Sequence, residues 1–406
     1  MKYYIIAGEA SGDLHGSNLI KSLQKIDKQA VIHAWGGDMM EATGATMRKH
    51  YRDLAFMGFI EVVKNLRTIF KNMAFCKKDI LDFQPDVVIF IDYPGFNLRI
   101  AKWAKQQGIR TFYYISPQIW AWHTSRVHGI KATIDRMFCI LPFEKDFYKK
   151  YNYDVDYVGH PLLDVIENRS FAADFRIKNG LSDKPIIALM PGSRRQEISI
   201  MLPIMLSVVV SEEFKNKYQF VIAAAPSQPL SIYHEIAAPL IPPKGEFSAG
   251  REIPSLEKPL GLNSIENEKV PPLRGLGGLV IVEGQTYDLL QNATAALVKS
   301  GTSTLETALF GVPEVVCYKG SPISYAIAKR VVNVKYISLV NLIADKMVVK
   351  ELIQNELNTE NLKKELTQIL ENQSIMKKEY KILRGLLGNA GASERAANLM
   401  YHYLKK

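Results

Sequence analysis

Short apolar runs recur along the chain and alternate with stretches in which apolar residues return every three or four positions. The runs Tyr3 to Ala7, Val31 to Trp35, Val87 to Ile91, Thr111 to Ile115, Arg136 to Ile140 and Val155 to Val158 read as strands, with helices between them. That alternation predicts an α/β fold whose parallel sheet is joined by crossover helices. The run Val87-Val88-Ile89-Phe90-Ile91 is apolar at every position, as an interior strand covered on both faces should be, and Asp92-Tyr93-Pro94-Gly95 ends it in a turn.

The pattern restarts after Pro185 with Ile186 to Met190, Gln219 to Ala223, Gly278 to Val282, Ala295 to Lys299 and Glu314 to Tyr318. A restart implies a second domain of the same class. The expected layout is an N-terminal domain over 1–168, a C-terminal domain over 169–385 and a last helix over 386–406. Apolar positions Ala396, Ala397, Leu399, Met400 and Tyr403 suit that helix to packing back on the first domain. Residues 242–278 break the rhythm with Pro242, Pro243, Pro254, Pro259, Pro271 and Pro272, and read as a poorly ordered insertion, with a functional lid as the alternative.

A length of 406 residues agrees with two domains, since one usually takes ~100 to 200. Cys76, Cys139 and Cys317 lie too far apart for a disulfide framework or a zinc site, which fits a reducing compartment. The apolar run at Tyr3 is too short and too early for a signal peptide. No run of about 18 apolar residues offers a membrane span, so a soluble or peripheral protein is expected. The net charge of +10 favours anionic partners. Without a zinc finger, an RNA-recognition signature or a basic tail, phosphorylated substrates and acidic lipid are better candidates than nucleic acid.

Three segments stand where strands hand over to helices, the place where open α/β sheets bind ligands. In Pro191-Gly192-Ser193-Arg194, Gly192 lets the backbone approach closely, Ser193 caps or donates, and Arg194 offers a planar fork to a diphosphate; a capped helix with a solvated arginine is the plainer alternative. In Ser300-Gly301-Thr302-Ser303-Thr304-Leu305-Glu306, small hydroxylic residues at a helix start would face a phosphate, with Glu306 one turn on toward ribose hydroxyls; the spacing also suits a capping box. The third, Gly8-Glu9-Ala10-Ser11-Gly12-Asp13 with Gly16, spaces its glycines by four and so departs from the dinucleotide fingerprint. It reads as a cleft-lining loop or a tight strand-to-helix turn.

Together with Asp92-Tyr93-Pro94-Gly95-Phe96-Asn97, Ser116-Pro117-Gln118-Ile119-Trp120-Ala121-Trp122, Val158-Gly159-His160-Pro161-Leu162 and Ser338-Leu339-Val340-Asn341-Leu342, these motifs resemble the lipid-A-disaccharide synthases. Those are inverting glycosyltransferases of the glycosyltransferase-B fold, in which two Rossmann-like domains face a cleft. The resemblance covers nearly the whole chain apart from 242–278. It implies transfer of 2,3-diacylglucosamine from its UDP conjugate to 2,3-diacylglucosamine 1-phosphate, giving a β(1→6) disaccharide 1-phosphate and UDP, with no cofactor and no metal. His123, His128 and His160 read as structural or cleft-lining residues, and Asp154-Val155-Asp156 opens a strand.

Inversion needs a base for the acceptor hydroxyl and a cationic or dipolar clamp for departing UDP. The clamp falls to Ser193, Arg194, Ser300, Gly301 and Thr302, with Glu306 and Asn341 toward ribose and uridine. Asp92 is the preferred base and Glu9 its alternative, because many family members carry a second carboxylate where this chain has Gly95. Gly8, Ser11, Gly12, Asp13 and Gln118 are expected to line the acceptor side, with a helix cap as the equal alternative for Asp13. Phe59, Val62, Val63, Leu66, Ile69, Phe70 and Met73 form a helical apolar stripe among Lys64, Arg67, Lys71, Lys77 and Lys78, suited to acyl chains and to the inner face of the cytoplasmic membrane, or else to an ordinary core. A homodimer is compatible with this reading. The competing possibility is a nucleotide-sugar-binding or epimerase-type protein of the same fold.

Overall fold

The computed structural model describes residues 1–53, 66–167, 169–238, 279–321, 325 and 334–406, with only the backbone of Leu66 and Trp122. Among the described residues the chain divides into two compact units: Met1–Arg169 with Gly385–Lys406, and Ser170–Arg330 with Val334–Arg384.

In the first unit, strands β1 (Lys2–Ala7), β2 (Val31–Gly36), β3 (Thr46–His50), β4 (Val87–Ile91), β5 (Arg110–Tyr114), β6 (Arg136–Cys139) and β7 (Asp156–Tyr157) form one parallel sheet in the order β3-β2-β1-β4-β5-β6-β7. The order reverses between β1 and β4. Every residue of β4 is buried, which explains its unbroken apolar run. Tyr4, Ile6, Val88, Phe90, Tyr113 and Met137 join one core cluster on one face of the sheet. The helix Ala392–Lys405 packs against the helix Ala10–Ile26 of this unit. Its first N–H groups, on Gly391, Ala392 and Ser393, donate to the Asp164 carboxylate at 2.6, 3.0 and 2.9 Å, which places a negative charge at the positive end of the helix.

In the second unit, β8 (Ile186–Met190), β9 (Gln219–Ala224), β10 (Leu279–Glu283), β11 (Ala293–Lys299), β12 (Glu314–Tyr318) and β13 (Lys350–Ile353) form a parallel sheet in the order β10-β9-β8-β11-β12-β13. Here the reversal lies between β8 and β11. Both units are therefore Rossmann-like, and each has one switch point where helices leave to opposite faces.

The apolar pattern did not announce β3 and β13. Both are edge strands: Thr46-Met47-Arg48-Lys49-His50 and Lys350-Glu351-Leu352-Ile353 keep charges along the strand, so little of their sequence reads as core. The Gly8 to Gly16 segment also differs from a loop. Helix begins at Ala10, leaving Gly8 and Glu9 as the turn. Gly12 and Gly16 lie one helical turn apart against the sheet, where β-carbons would stand 3.1 Å from Ala7 Cβ and 3.2 Å from Ile91 Cδ1. The spacing by four thus lets the helix lie close on β1 and β4. The expected insertion at 242–278 lies outside the described residues.

Candidate active site

In the second unit the switch point is built by two loops that leave neighbouring strands. Val298 of β11 pairs in register with Met190 of β8, so Lys299-Ser300-Gly301 and Pro191-Gly192-Ser193 emerge side by side at the carboxyl ends of their strands. The helices that follow, Arg195–Val209 and Thr302–Leu309, both begin without a side-chain hydrogen bond from the cap residue; the first carries Glu197 in its opening turn, whereas the second has no acidic residue there. Gly192 holds φ at +114°, and a β-carbon on it would strike Glu197 Oε2 at 2.6 Å. Glu197 gathers the loops: its Oε1 is 2.8 Å from Lys299 Nζ and 3.4 Å from Arg194 Nη1, and its Oε2 accepts the Ser193 N–H at 3.2 Å. Burial pushes its carboxyl upward, but Lys299, then Arg194 and the Ser193 N–H, hold it below the ordinary glutamate value. It stays ionised.

Glu306 sits one turn into the helix Thr302–Leu309. Burial raises its carboxyl to about 7, against a smaller opposing effect of the Tyr287 hydroxyl, which donates to Oε1 at 3.4 Å. Tyr287 in turn stacks on Phe310 with centroids 5.4 Å apart.

The first unit repeats the arrangement with different chemistry. Ala7 of β1 pairs with Ile91 of β4, so Gly8-Glu9 and Asp92-Tyr93 leave the sheet together. Asp92 and Tyr93 hold φ at +45° and +49°, a left-handed bend at a strand end followed at once by Pro94 and a helix to Gln106. The Asp92 carbonyl accepts from Asn97 Nδ2 at 2.8 Å and from the Tyr113 hydroxyl, which fixes that bend. Burial, with a further push from the Glu9 carboxylate, raises the Asp92 carboxyl to about 6, although Tyr93 N–H bonds to it. A carboxyl so poised can carry a proton near neutral pH. Gln118 is exposed at the start of the short helix Ile119–Trp122, beyond β5, and Ser11 is exposed in the first turn after Glu9.

A family model for lipid-A-disaccharide synthetase matches residues 3–236 and 268–399. The chain belongs to the lipid-A-disaccharide synthase family. It is 38% identical to the lipid-A-disaccharide synthase of Syntrophus aciditrophicus, over 99% of this chain and 97% of that one. It is 34% identical to the synthase of Geobacter metallireducens, again over 99% and 97%. Among solved structures, it is similar to a Staphylococcus aureus MnaA–UDP structure (TM-score 0.64, 12% identity, 100% and 97% covered). It is likewise similar to UDP-GlcNAc 2-epimerase from Neisseria meningitidis bound to UDP-GlcNAc (TM-score 0.59, 13% identity, 100% of both chains covered). At such identity these two establish the fold alone. A lipid-A-disaccharide synthase is a glycosyltransferase, and the likeness to epimerases is one of architecture.

Several residues singled out by sequence already have partners within the fold. The Asn341 side chain is wholly buried: Nδ2 donates to the Val349 carbonyl and to Glu351, while Oδ1 accepts the N–H groups of Val348 and Val349. Its side-chain amide is saturated by these four bonds and shapes the loop before β13. Ser300 spends its hydroxyl on the Ile337 carbonyl at 3.0 Å and its N–H on the Cys317 carbonyl, which anchors the loop. Asp13 accepts from the N–H groups of Gly37, Met39 and Met40 at 2.7, 3.1 and 3.0 Å, capping the short helix Asp38–Glu41. That carboxylate is buried and committed.

Of the apolar stripe, Phe59, Val62 and Val63 lie outside the described residues, as does the Leu66 side chain. On the helix Leu66–Phe83, Phe70 is 59% exposed, beside exposed Arg67 and Lys71, whereas Ile69 is half-buried and Met73 packs on the core. No described helix is long and apolar enough to cross a membrane. Sequence reasoning gave no role to Glu197, Lys299, Tyr287 or Tyr93. Glu197 and Lys299 lie within or beside the chosen segments, but only the register of β8 against β11 shows that they meet.

Proposed function

We propose that the second unit holds the UDP-linked donor, with Ser193, Arg194 and the first N–H groups of the helix Thr302–Leu309 on the diphosphate and Glu306 on the ribose. Departure of UDP leaves charge on the diphosphate, and an arginine fork together with the uncapped start of the helix Thr302–Leu309 stabilises it where it develops. Asp92 takes the proton from the 6-hydroxyl of 2,3-diacylglucosamine 1-phosphate. That oxygen attacks the anomeric carbon of the donor, the bond to the diphosphate breaks, and the configuration inverts. The products are a β(1→6) disaccharide 1-phosphate and UDP.

What carries this reading is the placement of Asp92 at the β1/β4 switch point, in the turn beside Glu9 that the Ala7–Ile91 register fixes, where burial and then Glu9 push its carboxyl up to about 6. Both proposed substrates bear acyl chains, so the chain works at the inner face of the cytoplasmic membrane as a peripheral protein; exposed Phe70 and Phe75 among Arg67, Lys71 and Lys78 support that placement. The test is UDP release from UDP-2,3-diacylglucosamine in the presence and absence of the acceptor. Release that needs the acceptor and yields one disaccharide per UDP is expected. Interconversion of a water-soluble UDP-sugar without acceptor would favour an epimerase instead.

A further inference from the structure

We infer that Lys299 is a second cation of the diphosphate clamp and that Glu197 is the positioning residue that holds it in readiness together with Arg194. The inference rests on the reading of the β8/β11 switch point as the diphosphate site. Lys299 is the last residue of β11, and Glu197 lies in the first turn after β8. The Nζ to Oε1 distance is 2.8 Å, with side chains 19% and 18% exposed, so the contact is largely withdrawn from water. Arg194, 52% exposed, reaches the same Oε1 at 3.4 Å.

A pair that served only to tie two loops would need one cation. Here a single carboxylate faces two, so the group carries a net charge of +1 beside the start of the helix Thr302–Leu309, whose first turn has no side-chain cap and no acidic residue. The loop is shaped around that carboxylate, since any side chain at Gly192 would collide with it. A diphosphate brings more negative charge than one glutamate and competes for both cations. Lys299, on a flexible stem, can turn its ammonium from Glu197 to a phosphate oxygen, while Arg194 meets the phosphates with its fork. Without Lys299 the Arg194–Glu197 pair would present no net positive charge to the diphosphate.

The experiment is calorimetric UDP binding to the full chain and its variants, with turnover measured in parallel. Lys299→Met should weaken UDP binding by about tenfold or more, and Lys299→Arg should restore most of it. Glu197→Gln should keep UDP affinity within about threefold, because the local charge rises, yet lower kcat about tenfold as Arg194 loses its orienting partner. A merely structural pair would not separate the two: both neutral variants would weaken binding alike, which would overturn the inference. Lys299→Met binding UDP as the unaltered chain does would also overturn it. If the unaltered chain bound no UDP, the diphosphate site itself would fall, and the inference with it.

Discussion

The ring of Tyr93 lies against Gly8 so closely that a β-carbon at position 8 would stand 2.3 Å from its Cδ1. Because Ala7 and Ile91 are register partners, this contact locks the turn carrying Glu9 to the turn carrying Asp92. The left-handed backbone of Asp92 and Tyr93 costs roughly 1 kcal/mol or more per residue, and the Tyr93 ring, Asn97 and Tyr113 hold it in place.

Gly8→Ala is therefore expected to displace Tyr93 and with it the Asp92 carboxyl. A misplacement of that kind lowers kcat by about 10- to 100-fold. Steady-state kinetics beside a melting curve checks it: kcat should fall in a protein that still melts cooperatively, and unchanged kcat would show that the turn tolerates the shift.

The base must be ionised to act, and burial, then the Glu9 charge, push its carboxyl up to about 6. Turnover under kcat/KM conditions should fall about tenfold per pH unit below that value. Glu9→Gln removes a neighbouring negative charge, so the acid limb should move to lower pH. Loss of all activity in Glu9→Gln, with the limb unmoved in Asp92→Asn, would instead make Glu9 the base.

Arg194→Ala removes one charged fork from the departing diphosphate. A contribution of about 3 kcal/mol to the transition state corresponds to a loss of at least ~100-fold in turnover. Near-normal turnover would sink the clamp as drawn.

Gly95 is exposed near the start of its helix, and an added β-carbon would meet nothing within 4 Å. Gly95→Asp should fold as well as or better than the parent, because a carboxylate suits a helix N-terminus and glycine does not favour a helix. The acid limb near pH 6 should persist, since Asp92 remains the base. A new limb at lower pH with faster turnover would show that position 95 can take over.

How much of this was legible from residues alone differs between parts. The interior strands announced themselves because burial on both faces makes them apolar throughout, as at Val87 to Ile91. The edge strands at Thr46 and Lys350 did not, since half their surface meets water. At the sites, the motifs located the right loops, but local sequence does not reveal which polar groups are already spent. Asn341, Ser300 and Asp13 look like free donors or acceptors in sequence and are satisfied by partners far along the chain or by backbone groups. Glu197 and Lys299 illustrate the converse, since 102 positions of sequence separate residues that strand register brings within 2.8 Å.

Glu314 opens β12 fully buried, with no hydrogen-bond partner for either carboxylate oxygen among the described residues, and burial holds its carboxyl well above the usual value. It is neutral in the fold and ionised in the unfolded chain above the ordinary glutamate range. Folding then takes up a proton, so stability falls as pH rises through that window. Glu314→Met should remove this slope and stabilise the fold by about 1 to 3 kcal/mol, the cost of an unsatisfied buried polar group. Denaturant melts at pH 5 and pH 8 check it; a less stable variant would reveal a partner for this carboxyl.

The central claim is acceptor-dependent transfer with Asp92 as base. Its most direct test is the rate of disaccharide 1-phosphate formation from UDP-2,3-diacylglucosamine and 2,3-diacylglucosamine 1-phosphate, with the anomeric configuration of the product read by NMR, for the parent chain and Asp92→Asn. The account predicts a β-linked product from the parent and a rate lower by about 100-fold or more in the variant. An α-linked product, or an Asp92→Asn rate within tenfold of the parent's, would contradict it.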